Sequence, residues 1–200
     1  MPKIIVKDEV KIKIAKSAFK VFTKKGYEET RMKDIADYCN ISRTSIYQYF
    51  NNKDEIFFFI LHTHLDDIYH LYRKTLRMKN MDELEKIQRI IEDIFNQYYN
   101  KEKVLELYAT YWLKEKLEHP GVYSDLQQRT EKLKDVFEAL LAKGIQRNVI
   151  KELDVSSMAN ILFLIVRGFI MQSSVYTNVS PSQLIVSTKF LLQGLRKLKK

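Results

Sequence analysis

The N-terminal quarter of the chain contains three short helical patterns in succession, which restricts the folds that it can adopt. The first is an apolar stripe at helical spacing, and Gly26 ends it because glycine readily adopts positive φ. Thr30 is a favourable N-cap for the second helix, and Ser42 can cap a third, Arg43–Tyr49. Two short helices joined by a turn of about three to four residues are typical of a helix-turn-helix. The stripe comprises Ile14, Ala15, Ala18, Phe19 and Phe22.

The third of these helices has a polar face without a carboxylate. Only Ile41, Ile46 and Phe50 are wholly apolar in this part of the chain, and we assign Ile46 and Phe50 to the core. Phosphates would repel a carboxylate, so a face made of donors and phenols suits a helix beside DNA. Taken alone, the same face could be a neutral protein surface. Its members are Arg43, Thr44, Ser45, Tyr47, Gln48 and Tyr49.

The net charge of +9 is concentrated at the two ends of the chain. Residues 1–60 hold 12 Lys and Arg against 8 Asp and Glu, and the tail Arg196–Lys200 adds four cations. The remaining residues are close to neutral, with 18 basic and 17 acidic side chains. A basic surplus beside a helix-turn-helix pattern indicates attraction for phosphate.

The stretch from Ile14 to Ile56 resembles the TetR family of bacterial repressors. It has two mild departures: Arg31 stands where the family often has a second threonine, and Cys39-Asn40 stands where it usually has Ala-Gly. Asn40 tolerates the left-handed turn that glycine would make, and Cys39 is small enough to pack in the core. The matching residues are Ile14, Ala18, Phe22, Gly26, Tyr27, Thr30, Ile35, Ala36, Ile41, Ser42, Ile46, Tyr47, Tyr49, Phe50, Asn52, Lys53 and Ile56.

The resemblance implies a division of roles on the DNA-binding face. Arg43, Thr44 and Ser45 are expected near base edges. Arg43 could bind guanine through two hydrogen bonds, and the threonine methyl could touch that of thymine. Gln48 could read adenine or face solvent. Contacts to phosphate would come from Thr30, Arg31, Ser42, Tyr47, Tyr49 and Lys53, with Thr30 offering a helix N-terminus.

Helical periodicity continues beyond the helix-turn-helix, and we predict an all-α protein. Glycine and proline number only five and three, so the turn residues that a sheet needs are lacking. We expect a helix-turn-helix DNA-binding domain over residues 1–56 and a helical ligand-binding and dimerisation domain over residues 57–200, with about nine helices in all. The predicted helices of the second domain are Phe57–Arg77, Asp82–Tyr99, Glu102–Glu118, Tyr123–Lys143, Asp154–Tyr176 and Ser182–Leu198.

The helix that contains Ile161–Met171 is apolar nearly all round. A membrane span needs about 20 apolar residues, whereas this run has 11 and includes Arg167. We therefore expect burial on both faces, one against its own domain and one against a second copy of the chain. The resemblance implies a homodimer whose interface is formed by the last two helices. Candidate interface residues are Phe163, Val166, Gly168, Ile170, Leu184, Leu191 and Leu195.

Aromatic residues are concentrated between Phe95 and Trp112, with six in 18 residues. They could fill the core, but buried tyrosine hydroxyls need partners, and a cavity lined by phenols explains the surplus equally well. The resemblance implies an effector pocket in this region. Arg167 is a further candidate, paired with Glu106, with Glu115 or with a ligand carboxylate. The candidate aromatic residues are Phe95, Tyr98, Tyr99, Tyr108, Tyr111 and Trp112.

The sequence contains little indication of a metal or another cofactor, and we expect none. His62, Asp66 and His70 recur at helical spacing, but three ligands from one straight helix make poor geometry for a metal ion. A solvated or pocket-facing row is favoured instead. Cys39 is the single cysteine, which excludes an internal disulfide and favours a reducing compartment.

These features of the sequence favour a transcription regulator over the other classes of protein. The motifs G-x-S-x-G, G-x-G-x-x-G and H-E-x-x-H are absent, so no enzyme activity is expected. Residues 1–10 lack the apolar core of a signal peptide, which favours a cytoplasmic, nucleoid-associated protein that does not enter a membrane. We expect a ligand-responsive repressor that binds a palindromic double-stranded DNA operator as a homodimer and is released by a small, largely apolar effector. The alternatives are a helical small-molecule-binding protein without specific DNA binding and an architectural DNA coat.

Overall fold

The computed structural model describes residues 2–98, 106, 109, 120–175 and 180–198. These residues form eight helices and no strand, which confirms the all-α prediction. The predicted helix Glu102–Glu118 lies outside the described residues, apart from positions 106 and 109, which are helical. The helices are α1 (Pro2–Lys25), α2 (Met32–Cys39), α3 (Arg43–Ile46), α4 (Lys53–Leu76), α5 (Glu83–Tyr98), α6 (Pro120–Gln146), α7 (Val155–Val175) and α8 (Pro181–Gly194).

The chain divides into two compact units, Met1–Asp66 and Asp67–Lys200, and the division falls within α4. The sequence suggested a division after residue 56. The start of α4 belongs to the N-terminal unit because Phe57 is fully buried there. Its ring centroid lies 5.5 Å from that of Phe22 and 5.2 Å from that of Tyr27. This aromatic cluster joins α1, the loop that follows it and the first turn of α4.

The N-terminal unit is built around the inward faces of its first three helices. The apolar stripe of α1 is turned into the core as predicted, although Phe19 is only half-buried. The helical repeat of these residues places them on one face, so a single helix contributes several core side chains. The buried residues from α1 to the segment after α3 include Ile14, Ala15, Ala18, Phe22, Ile35, Ala36, Cys39, Ile46 and Phe50.

The C-terminal unit is organised around α5, which packs against α6, α7 and α8. Isoleucines at positions 87, 90, 91 and 94 recur at helical spacing, and all four are buried. Phe95 continues this stripe and packs on Phe169 of α7, with ring centroids 4.2 Å apart. Full burial of a side chain of this size contributes about 1.5–3 kcal/mol. The surrounding core includes Phe137, Leu141, Leu162, Phe163, Val166 and Leu192.

Within one chain, α7 is buried on one face only, and burial of its other face against a second copy of the chain stays a prediction. Leu162 lies in the core, whereas Ile161, Leu164 and Met171 are 51, 61 and 54% exposed. The segment Val155–Ser173 has 19 residues and a mean hydropathy of 1.5, and among the described helices it alone has the length and composition of a membrane span. The 11-residue run counted from the sequence was too short because flanking residues also contribute. A core helix of a soluble protein can have the same length and composition.

The segment after α8 returns to the turn between α6 and α7. Antiparallel backbone hydrogen bonds of 3.0 and 2.9 Å join residues 149–151 to residues 195–197. Between these two bonds, the Arg196 guanidinium donates to the Asp82 carboxylate at 2.7 Å, just before α5 begins. The end of the described chain therefore links three helices of the C-terminal unit.

Candidate nucleic-acid interface

The turn between α2 and α3 has the geometry expected from its sequence. Asn40 adopts the left-handed conformation, with φ 55° and ψ 43°, and its amide donates back to α2 at 3.1 Å. This conformation is a common way to end a helix. Ser42 then caps α3, because its Oγ accepts a 3.0 Å hydrogen bond from the amide of Ser45. The turn at Asn40 and the cap at Ser42 are both confirmed.

The α3 helix is shorter than predicted. It comprises Arg43–Ile46, and the chain continues through Tyr49 as a turn. The amides of Gln48 and Tyr49 each donate to the carbonyl three residues earlier, at 3.2 and 3.0 Å. Such tight turns are frequent at helix ends, because they satisfy carbonyls that lack helical partners. The predicted segment is therefore hydrogen-bonded throughout, but only its first part is α-helical.

The side chains of this segment divide into a core set and a surface set. Ile46 and Phe50 are buried, with 0 and 1% exposure, which confirms their predicted place in the core. Ser45 and Tyr49 are half-buried. The exposed side chains offer a cation, hydroxyls and an amide, and none is a carboxylate. They belong to Arg43, Thr44, Tyr47 and Gln48.

Thr30 does not have the roles predicted for it. Its side chain is 1% exposed, and Oγ1 donates a 2.6 Å hydrogen bond to the carbonyl of Gly26. The N-cap of α2 is Arg31 instead, which has extended backbone angles and an exposed side chain. A buried hydroxyl already paired with the backbone cannot reach a phosphate. Arg31 therefore remains the candidate for this contact at the start of α2.

The first turn of α2 is stabilised by a carboxylate. Asp34 accepts a 2.8 Å hydrogen bond from the Arg31 amide, a cap of the kind that helix N-termini favour. The Lys25 ammonium lies 2.6 Å from the same carboxylate. The hydrogen bond from Lys25, followed by that from the Arg31 backbone, holds the pKa of Asp34 below its ordinary value. Asp34 therefore remains ionised at neutral pH and anchors α2 to the end of α1.

Lys53, which is predicted to contact phosphate, is also engaged within the protein. Its Nζ donates to the carbonyl oxygens of Tyr27 and Glu28 at 2.9 and 3.0 Å. The ammonium also lies 4.5 Å from the centroid of the Tyr27 ring. The side chain is only 22% exposed. The ammonium would have to leave these carbonyls to bind a phosphate.

Only part of the candidate effector pocket falls within the described residues. Phe95 and Tyr98 are 0 and 6% exposed and belong to the core of the C-terminal unit. Burial raises the pKa of the Tyr98 hydroxyl, so it stays protonated. These two aromatic residues fill the core, which the sequence analysis gave as the alternative to lining a pocket. The other four, Tyr99, Tyr108, Tyr111 and Trp112, lie outside the described residues.

Arg167 is placed differently from the prediction. The sequence suggested a buried cation that requires a carboxylate, either from a glutamate or from a ligand. The side chain is instead exposed, because it lies on the outer face of α7. Its guanidinium carbon lies 5.6 Å from the centroid of the Phe163 ring. Water can solvate a cation in this position, so burial imposes no need for a pocket ligand. Glu106 is likewise exposed, and Glu115 lies outside the described residues.

The candidate dimer residues also separate into two groups. Phe163 and Val166 are buried in their own unit, which removes them from any surface. Gly168 and Leu191 are exposed, and nothing lies within 4 Å of a Cβ built on Gly168. The remaining three, Ile170, Leu184 and Leu195, are partly buried against the core. Exposed apolar residues that the sequence analysis missed are Ile161, Leu164, Met171, Val186 and Phe190.

A sequence signal for the missed residues exists in α7. Ile161, Leu164, Gly168 and Met171 recur at intervals of three, four and three residues, which places them on one helical face. Because nearly every residue here is apolar, hydropathy alone could not separate this face from the inner one. The separation requires knowledge of which side contacts α5.

A groove of 420 Å³ lies on the C-terminal unit between α5 and α8. Its lining is largely charged or amide-bearing, and it includes none of the candidate pocket residues. The side chains along it already pair with one another on α5, as Gln88 does with Glu92 at 2.6 Å. The main polar lining residues are Glu85, Gln88, Arg89, Glu92, Lys189 and Gln193.

The histidine row of α4 has no metal-binding arrangement. Among the residues that the structure describes, no group of three His, Cys, Asp or Glu side chains is placed to hold a metal ion. The ring of His62 lies against Phe58, with centroids 4.0 Å apart. His70 is exposed and contacts the edge of Tyr69.

Residues 14–59 match the family model described as bacterial regulatory proteins of the tetR family. The match covers α1 from its apolar stripe, the helix-turn-helix and the first turns of α4. The probable HTH-type transcriptional regulator ArpR of Pseudomonas putida is 29% identical over 171 residues, which span 81% of this chain and 79% of ArpR.

Two solved structures share the fold. A TetR/AcrR-family regulator from Thermobifida fusca YX-ER1 superposes with a TM-score of 0.75 at 19% identity, over 92% of this chain and 96% of that one. AibR, solved with isovaleryl coenzyme A and operator DNA, gives a TM-score of 0.67 at 15% identity, over 89 and 95% of the two chains. Residues 14–59 therefore match the tetR-family DNA-binding domain, and the chain is similar in sequence to HTH-type transcriptional regulators and shares the fold of TetR/AcrR-family regulators.

Proposed function

We propose that this regulator is a ligand-responsive repressor that binds a palindromic DNA operator as a homodimer. The observation that carries the proposal is the exposed, carboxylate-free face of α3 and the turn after it. Ile46 and Phe50 fix this face by burying its opposite side in the core. A rigid polar face of this kind suits the major groove of DNA, where base edges present donors and acceptors.

The exposed side chains have different proposed partners on DNA. Arg43 begins α3 and can donate two hydrogen bonds to guanine, Thr44 follows it, and Gln48 lies in the turn after α3. Tyr47, at 43% exposure, and the exposed Arg31 are suited to phosphate oxygens. Ser42 and Ser45 share a 2.8 Å hydrogen bond between their hydroxyls, so any base contact by Ser45 involves this pair. We do not assign Thr30 and Lys53 to this interface, because their side chains are hydrogen-bonded within the protein.

The apolar outer faces of α7 and α8 support the homodimer. Six large apolar side chains on these two helices are more than half exposed, which is unusual for a monomeric surface. A second copy of the chain would cover them, and a two-fold dimer would present two α3 helices to successive turns of the major groove, about 34–36 Å apart. The six are Ile161, Leu164, Met171, Val186, Phe190 and Leu191.

A small effector is proposed as the signal that releases DNA. AibR, which has the same fold, was solved with an acyl-coenzyme A and operator DNA, so this architecture can accommodate both partners. In the present chain, the aromatic concentration from residue 95 to residue 112 favours a largely apolar ligand. Release requires the ligand to bind more tightly to the DNA-free state, typically by about 1–3 kcal/mol. The proposed place of action is the nucleoid.

A salt series with two DNA duplexes tests the proposed DNA binding. One duplex is selected by the protein from a random pool, and the other has an unrelated sequence. Affinity for both should fall steeply as salt rises, and the selected duplex should bind more tightly at every salt concentration. Equal affinity for the two would indicate an architectural coat. Absence of binding to either would leave a small-molecule-binding protein.

An alanine variant of the proposed base-reading residue completes this experiment. Arg43→Ala should weaken binding to the selected duplex by about 1–3 kcal/mol and relax preference at one base position. Lys16→Ala is the matched control, because Lys16 is an exposed cation on α1. It should leave base preference unchanged. Unaltered preference in the Arg43 variant would contradict the assignment of α3 to base reading.

A further inference from the structure

Residues 26–30, the loop between α1 and α2, are held by the first turn of α4. Three successive carbonyls of this loop each receive a side-chain donor. Thr30 Oγ1 donates to Gly26 O at 2.6 Å, and Lys53 Nζ donates to Tyr27 O and Glu28 O at 2.9 and 3.0 Å. One ammonium group therefore contacts two successive carbonyls, of which that of Tyr27 also accepts a 3.2 Å hydrogen bond from the Thr30 amide.

The side chain of Tyr27 completes this attachment. It is 5% exposed, and its ring packs between Phe22 and Phe57, with centroids 5.3 and 5.2 Å away. Its hydroxyl donates to the carboxylate of Asp54, the residue that follows Lys53. Lys53 thus binds the backbone of Tyr27, and Asp54 binds its side chain.

Electrostatics favour the ammonium at this place. The loop follows the C-terminus of α1, where helix carbonyls carry partial negative charge and a cation is stabilising. The face of the Tyr27 ring, 4.5 Å from Nζ, adds a cation–π attraction. The Glu28 carboxylate lies 3.8 Å away. Three kinds of attraction therefore act on one cation, and the ring and the carboxylate among them belong to this loop.

We propose that Lys53 is a positioning residue, which joins α4 to the loop that leads into the helix-turn-helix and so sets how α3 is presented to DNA. This assignment rests on the proposed function of the N-terminal unit as a DNA-binding head. The loop ends at Thr30, and α2 begins two residues later, so the position of the loop determines where α2 starts. Loss of the ammonium would remove two hydrogen bonds between α4 and the loop and loosen this connection.

The test compares Lys53→Met with Arg31→Met in the full-length protein. The first removes the proposed joint, and the second removes a nearby exposed cation proposed to contact phosphate. Hydrogen exchange of the amides in residues 26–35 is measured without DNA, and affinity for a mixed-sequence duplex is measured across a salt series. Lys53→Arg, which keeps a cationic donor, is the conservative variant.

Lys53→Met should exchange these amides about tenfold faster, because hydrogen bonds to a charged group are lost. Its affinity for the duplex should fall by about the same factor without any change in salt dependence, since no counterion release is lost. Lys53→Arg should recover most of both effects. Arg31→Met should leave exchange unchanged and reduce the slope of log affinity against log salt by about 0.9.

Two results would overturn the proposal. One is unchanged loop exchange in Lys53→Met, and the other is a reduction in its salt slope equal to that of Arg31→Met. If Lys53→Met does not fold, Lys53→Gln replaces it in both measurements with the same expected changes, because its side chain is polar but lacks the charge and the reach of lysine. If the wild-type protein binds no duplex, the proposed function fails, while the exchange measurement still decides whether Lys53 holds the loop.

Discussion

The guanidinium of Arg196 donates a 2.7 Å hydrogen bond to the carboxylate of Asp82, 114 positions earlier in the chain. Burial of Asp82 acts to raise the pKa of its carboxyl group. The hydrogen bonds from Arg196 and from the backbone amide of Glu85 outweigh this effect, and the pKa lies below its ordinary value. The contact therefore contributes to stability only while Asp82 is ionised.

Loss of this ion pair should have a pH-dependent effect on stability. The folded pKa of Asp82 lies below the unfolded value of about 3.9. The ion pair therefore contributes fully to the free energy of unfolding above about pH 3.9, and this contribution disappears as the pH falls through the folded pKa. Arg196→Met should lower the free energy of unfolding at neutral pH by less than about 1 kcal/mol, because Arg196 is 43% exposed and screened by water. Urea unfolding at neutral and acidic pH measures this difference.

The matched control is Arg89→Met, which removes an exposed pair with Asp93 within α5. Its cost should be about 0.3–0.5 kcal/mol, the usual value for such helical pairs. A destabilisation by Arg196→Met that did not diminish as Asp82 became protonated at acidic pH would contradict the role given to the Asp82 charge.

Gly144→Ala should destabilise the C-terminal unit. A Cβ built at this position would lie 2.4 Å from Cδ1 of Ile150 and 3.3 Å from Cβ of Glu83. Ile150 is 1% exposed and Glu83 is equally buried, so neither can move aside freely. Overpacking of this kind costs about 1–3 kcal/mol, which thermal unfolding can measure. Gly194→Ala is the control, because nothing lies within 4 Å of a Cβ built on Gly194, and it should not be destabilising.

Substitution of Asn40 should distinguish backbone geometry from side-chain chemistry. Its φ of 55° is unfavourable for most residues, and alanine at such a position costs about 1–2 kcal/mol. Asn40→Ala should therefore lower the melting temperature of the head, whereas Asn40→Gly should preserve it. Circular dichroism of the two variants provides the comparison. Equal melting temperatures would show that the left-handed conformation is not what asparagine contributes here.

Phe190→Glu should shift the protein from dimer to monomer. Phe190 is 69% exposed on α8, so the glutamate is solvated in a single chain but would be buried unpaired in the proposed interface. Sedimentation over a range of concentrations should show at least a tenfold weaker association, equivalent to about 1.4 kcal/mol. Ala142→Glu, at an exposed position of α6, should leave the dimer intact. A Phe190 variant with unchanged association would place the interface elsewhere.

The sequence predicted the helix-turn-helix well because its signals are local. Asn40, Ser42 and Ile46 each act within a few residues of their own positions, through a turn, a cap and a helical face. These effects depend little on the rest of the chain, so a single sequence reveals them. The all-α class followed in the same way from periodicity and from the scarcity of turn residues.

Predictions that depended on tertiary placement fared less well. The sequence predicts Thr30 as a helix cap, but its hydroxyl donates to the carbonyl of Gly26. It predicts Arg167 as buried, but this side chain lies on the outer face of its helix. Lys53 contacts residues about 25 positions away. In α7 both faces are apolar, so only the packing against α5 and α6 identifies the exposed one. The chemistry of an effector depends on cavity shape, which a pattern of aromatic residues does not define.

The single thiol of the chain is shielded inside the head. Cys39 is 7% exposed, and burial raises the pKa of its thiol, which keeps it protonated and poorly reactive. Alkylation of Cys39 can therefore occur only when α2 opens away from its neighbours. The rate of labelling under native conditions would report how often the DNA-binding head opens, and at what free-energy cost, without any engineered probe.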